Sequence, residues 1–181
     1  MRGGRLIAVV GPSGVGKDSV MTGLKAAWPR LHLVRRVITR PAGLGGEDYD
    51  AVTEAEFEAM ARDGAFVVHW RAHGLRYGIP LNVRYFLNQG HDCLANFSRG
   101  ALSEAAGHFQ RFLVLNVTAK PETLARRLTE RGRESAEEVQ ARLAVAQSPL
   151  PDHSETVHVA NDGPLSETIA RATALIQPVS A

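Results

Sequence analysis

The segment Gly11-Pro12-Ser13-Gly14-Val15-Gly16-Lys17-Asp18-Ser19 constrains this chain more than any other. A continuous apolar run, Leu6 to Val10, precedes it, as expected of a parallel strand buried on both faces. A helical pattern from Lys17 to about Trp28 follows. A strand, then G-x-x-x-x-G-K, then a helix predicts a phosphate-binding loop. The glycines let backbone N–H groups turn inward around an anion, and the helix N-terminus adds the positive end of its dipole. Lys17 supplies a point charge for the β and γ oxygens of ATP. After Lys17 such loops carry Ser or Thr, whose hydroxyl holds Mg²⁺, but here the residue is Asp18. A carboxylate is a hard oxygen ligand. Two readings stand: Asp18 meets Mg²⁺ directly or through water, with Ser19 sharing the role, or Asp18 is only a favourable acid in the first helical turn.

Downstream, strand-like and helix-like segments alternate, which predicts an α/β fold. His32 to Thr39 reads as one strand, Pro41 to Gly46 as a loop, Phe66 to Ala72 as a strand and Tyr77-Gly78 as a turn. Asp92 to Phe97, Arg111 to Val117 and Thr156 to Ala160 read as further strands. Thr53 with Glu56, and Ser135 with Glu138, have the spacing of capping boxes that start helices. Helices are also expected from Pro121 to about Arg131 and from Pro164 to Ile176. The pattern gives a parallel core interrupted by an insertion of antiparallel character.

Composition narrows the ligand. The 181 residues are 44% apolar and 22% charged with a formal net charge of +2, which argues against disorder and gives no sign of nucleic-acid binding. The arginines instead cluster, at Arg35-Arg36, Arg126-Arg127 and Arg131 with Arg133, which suits a small polyanion. Cys93 is the single cysteine and sits in an apolar run, so a buried thiol in a reducing cytoplasm is expected. No stretch has the length and apolarity of a membrane span. Oligomeric state stays open between monomer and homodimer.

Two further groups carry charge. Arg127 and Arg131 are four apart on one helix face, with Arg142 beyond them. They read either as groups that close over a transferring phosphate or as a solvated face. Arg35, Arg36, Arg40, Asp48, Tyr49 and Tyr77 fall in the insertion, where arginine forks and tyrosine hydroxyls suit a phosphate monoester, or form ordinary surface.

Together these residues resemble the guanylate kinase family from about Leu6 to Ile176. Thr39-Arg40-Pro41, Asp48-Tyr49 and Tyr77-Gly78 follow its acceptor-binding motifs, Arg127, Arg131 and Arg142 match its lid arginines, and Val159-Ala160-Asn161-Asp162 resembles its strand and turn near adenine. The resemblance implies a three-layer P-loop NTPase fold: one kinase domain over 1–181, with its core at about 1–32 and 89–181, an inserted acceptor-binding lobe at about 33–88 and a lid at about 127–145. It implies catalytic roles for Lys17, Arg127, Arg131 and Arg142, and nucleotide contacts from the loop and Asn161.

The departures fall where that family reads guanine. His69, Ile79, Ala95 and Phe97 stand at those positions. Together with Gly46-Glu47-Asp48 and Ala72-His73-Gly74-Leu75-Arg76-Tyr77-Gly78-Ile79-Pro80, they resemble the ribose 1,5-bisphosphate phosphokinases of phosphonate breakdown, a branch of the same family. That resemblance implies a phosphorylated sugar as acceptor, bound by Arg36, Arg40, Asp48, Tyr49, His69, His73, Tyr77, Asn96, Ser98 and Arg99. A structural role for His69 and His73 is an equal reading. A nucleoside monophosphate kinase and a catalytically inactive binding module are the alternatives.

Overall fold

The computed structural model describes residues 3–132, 134–146, 149–151 and 155–177. Arg133, part of one arginine cluster, lies outside them. Strand β1 (Leu6–Val10) is buried at every residue, because it is the middle of a parallel sheet covered on both faces. Its neighbours are β7 (Cys93–Asn96) and β8 (Phe112–Thr118), and the sheet is completed by β2 (His32–Leu33) beyond β7 and β9 (Glu155–Ala160) beyond β8. Every pairing in this sheet is parallel. One face packs Ile7 and Val9 against Val20 and Leu24 of α1 (Lys17–Ala27), Leu124 of α5 (Pro121–Arg131) and Ile176 of α7 (Leu165–Ile176). The other packs Leu6, Ala8 and Val10 against Val83 of α3 (Val83–Asn88) and Leu102 and Ala105 of α4 (Leu102–Ala106).

A second sheet, in the order β4-β3-β6-β5, is built from β3 (Arg36–Ile38), β4 (Tyr49–Ala51), β5 (Phe66–Ala72) and β6 (Leu75–Pro80). It is mixed: β3 runs parallel to β4 and antiparallel to β6, and β5 with β6 forms a hairpin. Helix α2 (Glu54–Arg62) covers it through Phe57, which joins Val37 and Phe66 in a small core. The Thr53–Glu56 capping box forms as expected, as does that of Ser135 and Glu138 at the start of α6 (Ala136–Ala146).

Two expectations need correction. The single strand from His32 to Thr39 is two strands, because the chain leaves the core sheet at Leu33 and joins the second sheet at Arg36. Tyr77-Gly78 is the interior of β6, and the turn lies at His73-Gly74, both with positive φ. Gly78 is required there by its neighbour: a Cβ would sit 2.5 Å from the Phe66 ring. Strand β4 has no counterpart in the sequence reading.

Candidate active site

The turn from β1 into α1 gives the loop its shape. Gly14 and Gly16 take positive φ, 83° and 91°, which glycine adopts without strain. A Cβ on Gly11 would lie 2.6 Å from the Val117 carbonyl oxygen, so β8 forms the floor of the loop. Lys17 Nζ donates to the Gly11 carbonyl at 2.8 Å and folds back over the loop. Burial pushes its amine down to about 8; Asp18 and Glu47 oppose that shift, and Arg36 and Arg99 add to it. A polyphosphate beside the lysine would favour its charged form and raise that value.

Asn161, at the end of β9, locks the loop from behind. Its amide Nδ2 donates to the Val15 carbonyl at 2.8 Å, and its Oδ1 accepts from Thr168 Oγ1 at 2.8 Å. Arg127 donates to the Asn161 carbonyl at 2.7 Å and to the Val15 carbonyl at 3.3 Å. Its guanidinium therefore joins α5, the loop and the β9–α7 turn. A recess of about 420 Å³ opens beside this junction, lined by Gly14, Ser19, Arg127, Glu130, Gly163 and Leu165. Gly163, Leu165 and Glu130 were not foreseen as site residues, and only their place after the Asn161 turn or one residue before Arg131 could have marked them.

A larger cleft of about 1350 Å³ runs from the loop to the second sheet. Lys17, Asp18 and Ser19 line one end, and Arg131 and Arg142 reach it from the helical pair α5–α6. Arg142 donates to Ser13 Oγ at 2.8 Å and pairs with Glu134 at 3.0 Å. Arg40, His73, Tyr77, Asn96, Ser98 and Arg99 also line the cleft. Burial raises the Tyr77 phenol pKa, against the Arg36 charge, so its hydroxyl remains a donor. Trp70 lies between Phe97 and Tyr77, stacked at 4.9 and 5.6 Å, and donates from Nε1 to Ser98 Oγ at 2.9 Å.

Several expected acceptor residues stand elsewhere. His69 is on the face of β5 opposite Trp70, against the Phe57 and Phe66 rings, and does not line the cleft. Asp48 is exposed and pairs with Arg35 at 2.8 Å. Tyr49 lies beneath Arg40, whose guanidinium is 5.0 Å from the ring centroid, and donates its hydroxyl to the Pro41 carbonyl. Arg36 is in the cleft, but its fork is taken by Glu47, a residue given no role from sequence. Ile79, Ala95 and Phe97 belong to the apolar core, so those three positions offer no polar atom to a base.

Asp18 and Ser19 are hard oxygen donors beside Lys17, and among the described residues no group of three or more His, Cys, Asp or Glu could form an all-protein metal cage. The donor set fits a cation held mainly by substrate phosphates and water, the usual arrangement for Mg²⁺. Among the described residues no helix is long and apolar enough to cross a membrane.

Fold and site define a P-loop phosphoryl-transfer protein that carries a second, mixed sheet beside its parallel core. The guanylate kinase family model matches residues 3–177, and the chain belongs to that family. It is 53% identical, over 96% of its length and 92% of the relative's, to a ribose 1,5-bisphosphate phosphokinase PhnN of Ruegeria sp. (strain TM1040). A bifunctional ribose 1,5-bisphosphokinase-thymidine phosphorylase of Cupriavidus necator is 46% identical over 93% of this chain, which spans 28% of that longer protein. In fold, the guanylate kinase of Anaplasma phagocytophilum superposes with a TM-score of 0.67 at 18% identity, covering 96% of this chain and 85% of that one.

Proposed function

We propose that this protein is an ATP-dependent kinase that converts ribose 1,5-bisphosphate to 5-phosphoribosyl 1-diphosphate. The observation that carries the reading is the 53% identity, over nearly the whole chain, to a protein of that name. The cleft agrees with it: basic groups line it, and three of the four positions that would read a base, Ile79, Ala95 and Phe97, are apolar.

In this reading the loop amides of residues 11–16 and Lys17 hold the ATP phosphates, and Asn161 and Arg127 fix the loop and the adenine recess beside Leu165. Arg40, Tyr77 and Arg99 hold the acceptor, aided by His73, Asn96 and Ser98. Its 1-phosphate oxygen attacks the γ-phosphorus, the bond to the ADP oxygen breaks, and ADP leaves. A phosphate monoester loses its second proton near pH 6, so the nucleophile is already ionised and needs no general base. Arg131 and Arg142 neutralise charge on the transferring group, and catalysis is positioning and electrostatics. Asp18, with Ser19, would hold Mg²⁺, which supplies positive charge to the β and γ oxygens. We further propose a reducing cytoplasm as the compartment, consistent with the buried free thiol of Cys93.

The test offers purified protein Mg²⁺-ATP with ribose 1,5-bisphosphate or GMP and follows products by phosphorus NMR. A diphosphate at C1 of the sugar, with little or no GDP, is expected. GDP formed at comparable kcat/KM would overturn the reading.

A further inference from the structure

Among the described residues lining the large cleft are two carboxylates. Asp18 stands beside Lys17, and Glu47, on the connection between β3 and β4, faces the same cleft near enough for its charge to act on the Lys17 amine; in the reading above that cleft takes up an acceptor bearing two phosphates. Glu47 is largely buried, with its side chain 15% exposed. Left alone it would repel such a ligand. It is not alone: Arg36 donates to both carboxylate oxygens, from Nε to Oε2 at 2.9 Å and from a terminal nitrogen to Oε1. Arg36 is itself fixed, with its guanidinium 4.6 Å from the Tyr77 ring centroid and 5.8 Å from that of Trp70. The pair is thus a rigid, electrically neutral element of the lobe.

The chemistry of the pair selects what it can bind. A carboxylate has about four lone-pair sites, and the Arg36 fork uses two. The remaining pair can only accept hydrogen bonds. An ionised phosphate has no proton to offer, whereas a sugar hydroxyl does. Because Arg36 is committed to Glu47, it serves as the support of this acceptor group and not as a second phosphate seat. We infer that Glu47, buttressed by Arg36 over Tyr77, accepts a hydrogen bond from a ring hydroxyl of the sugar and determines specificity for hydroxylated over deoxygenated acceptors. This inference rests on the sugar-bisphosphate reading above.

The experiment measures kcat/KM for ribose 1,5-bisphosphate and for its 2-deoxy and 3-deoxy analogues, with wild type and Glu47→Gln, and records the Mg²⁺ dependence of each. Wild type should disfavour at least one deoxy analogue by about ten- to a hundredfold, the worth of one hydrogen bond to a charged group. Glu47→Gln should shrink that preference to a few-fold with KM for ATP unchanged. If Glu47→Gln does not fold, the double variant Arg36→Met with Glu47→Leu removes both charges together and should also lose the preference. Equal use of all three sugars by wild type, or full discrimination in the folded variants, overturns the inference. So does a raised Mg²⁺ requirement with discrimination intact, which would put Glu47 on the metal. Failure of wild type to phosphorylate any of the three sugars would instead overturn the functional reading itself, and is plainly distinct from equal turnover of all three.

Discussion

Asn161 Nδ2 donates to the Val15 carbonyl at 2.8 Å, tying the end of β9 to the middle of the phosphate loop. Asn161 is 5% exposed, so water cannot readily replace the bond. Asn161→Ala should cost about 1–3 kcal/mol and lower Tm by about 2–10 °C. ATP affinity should fall with it. Asn161→Asp should do worse, because a carboxylate faces the Val15 carbonyl with no proton to donate. Calorimetry of the free protein and ATP titration check both, and an unchanged Tm in both variants would remove Asn161 from the loop's support.

Lys17 gives a pH dependence. Its amine titrates near 8 in the free protein because it is buried, and the nearby ATP phosphates would raise that value. ATP therefore binds the protonated form. Below pH 8 its affinity should be flat, and above pH 8 it should weaken, approaching about tenfold per pH unit. The linkage requires proton uptake on binding at pH 8–9, which calorimetry in buffers of different ionisation enthalpy measures. Lys17→Ala should stay folded, lose turnover and abolish this dependence.

The two α5 arginines that line the cavities, Arg127 and Arg131, should separate kinetically. Arg127 is committed to the Val15 and Asn161 carbonyls, whereas Arg131 is exposed at the mouth of both cavities. Arg131→Ala should lower kcat by about a hundredfold with little change in KM, the mark of a group acting in the transition state. Arg127→Ala should instead raise KM for ATP and lower Tm. Identical kinetic signatures for the two variants would erase this division of labour.

Asp18→Asn keeps the shape of the side chain and removes its charge. If Asp18 is a metal ligand, the Mg²⁺ concentration for half-maximal rate should rise several-fold while saturating kcat changes less. A superimposable Mg²⁺ profile would leave Asp18 as a residue of the first helical turn only.

Local chemistry explains what could be read from the sequence. The phosphate loop was legible because glycine spacing, a flanking strand and a flanking helix all reflect contacts within residues 6–28. The capping box of Thr53 and Glu56 was legible for the same reason. Gly78 was misread because a glycine beside a tyrosine signals a turn locally, while its real cause is the Phe66 ring on the neighbouring strand. The hand-over between sheets at Val34-Arg35 left no mark, since β2 and β3 are both extended, each begins with a basic residue followed by apolar ones, and they differ in their partners. Strand β4 is three residues long, too short for a period to show. Glu47 was passed over beside Asp48 because the difference between them is tertiary: one meets Arg36 inside the cleft and the other Arg35 outside it.

The central position of β1 has a consequence for how the chain is made. Its hydrogen-bonded neighbours begin at Cys93 and Phe112, and the residue that fastens its loop, Asn161, follows Val15 by 146 residues. At ribosomal rates of about 5–20 residues per second, that gap is roughly 7–30 s during which the motif exists as sequence but not as a shaped site. ATP can therefore offer no protection to the nascent amino-terminal half, and it stabilises only a core that has closed around the whole sheet. A ribosome-stalled chain ending before Glu155 should show no ATP-dependent resistance to protease, and a chain released beyond Ile176 should show it in full.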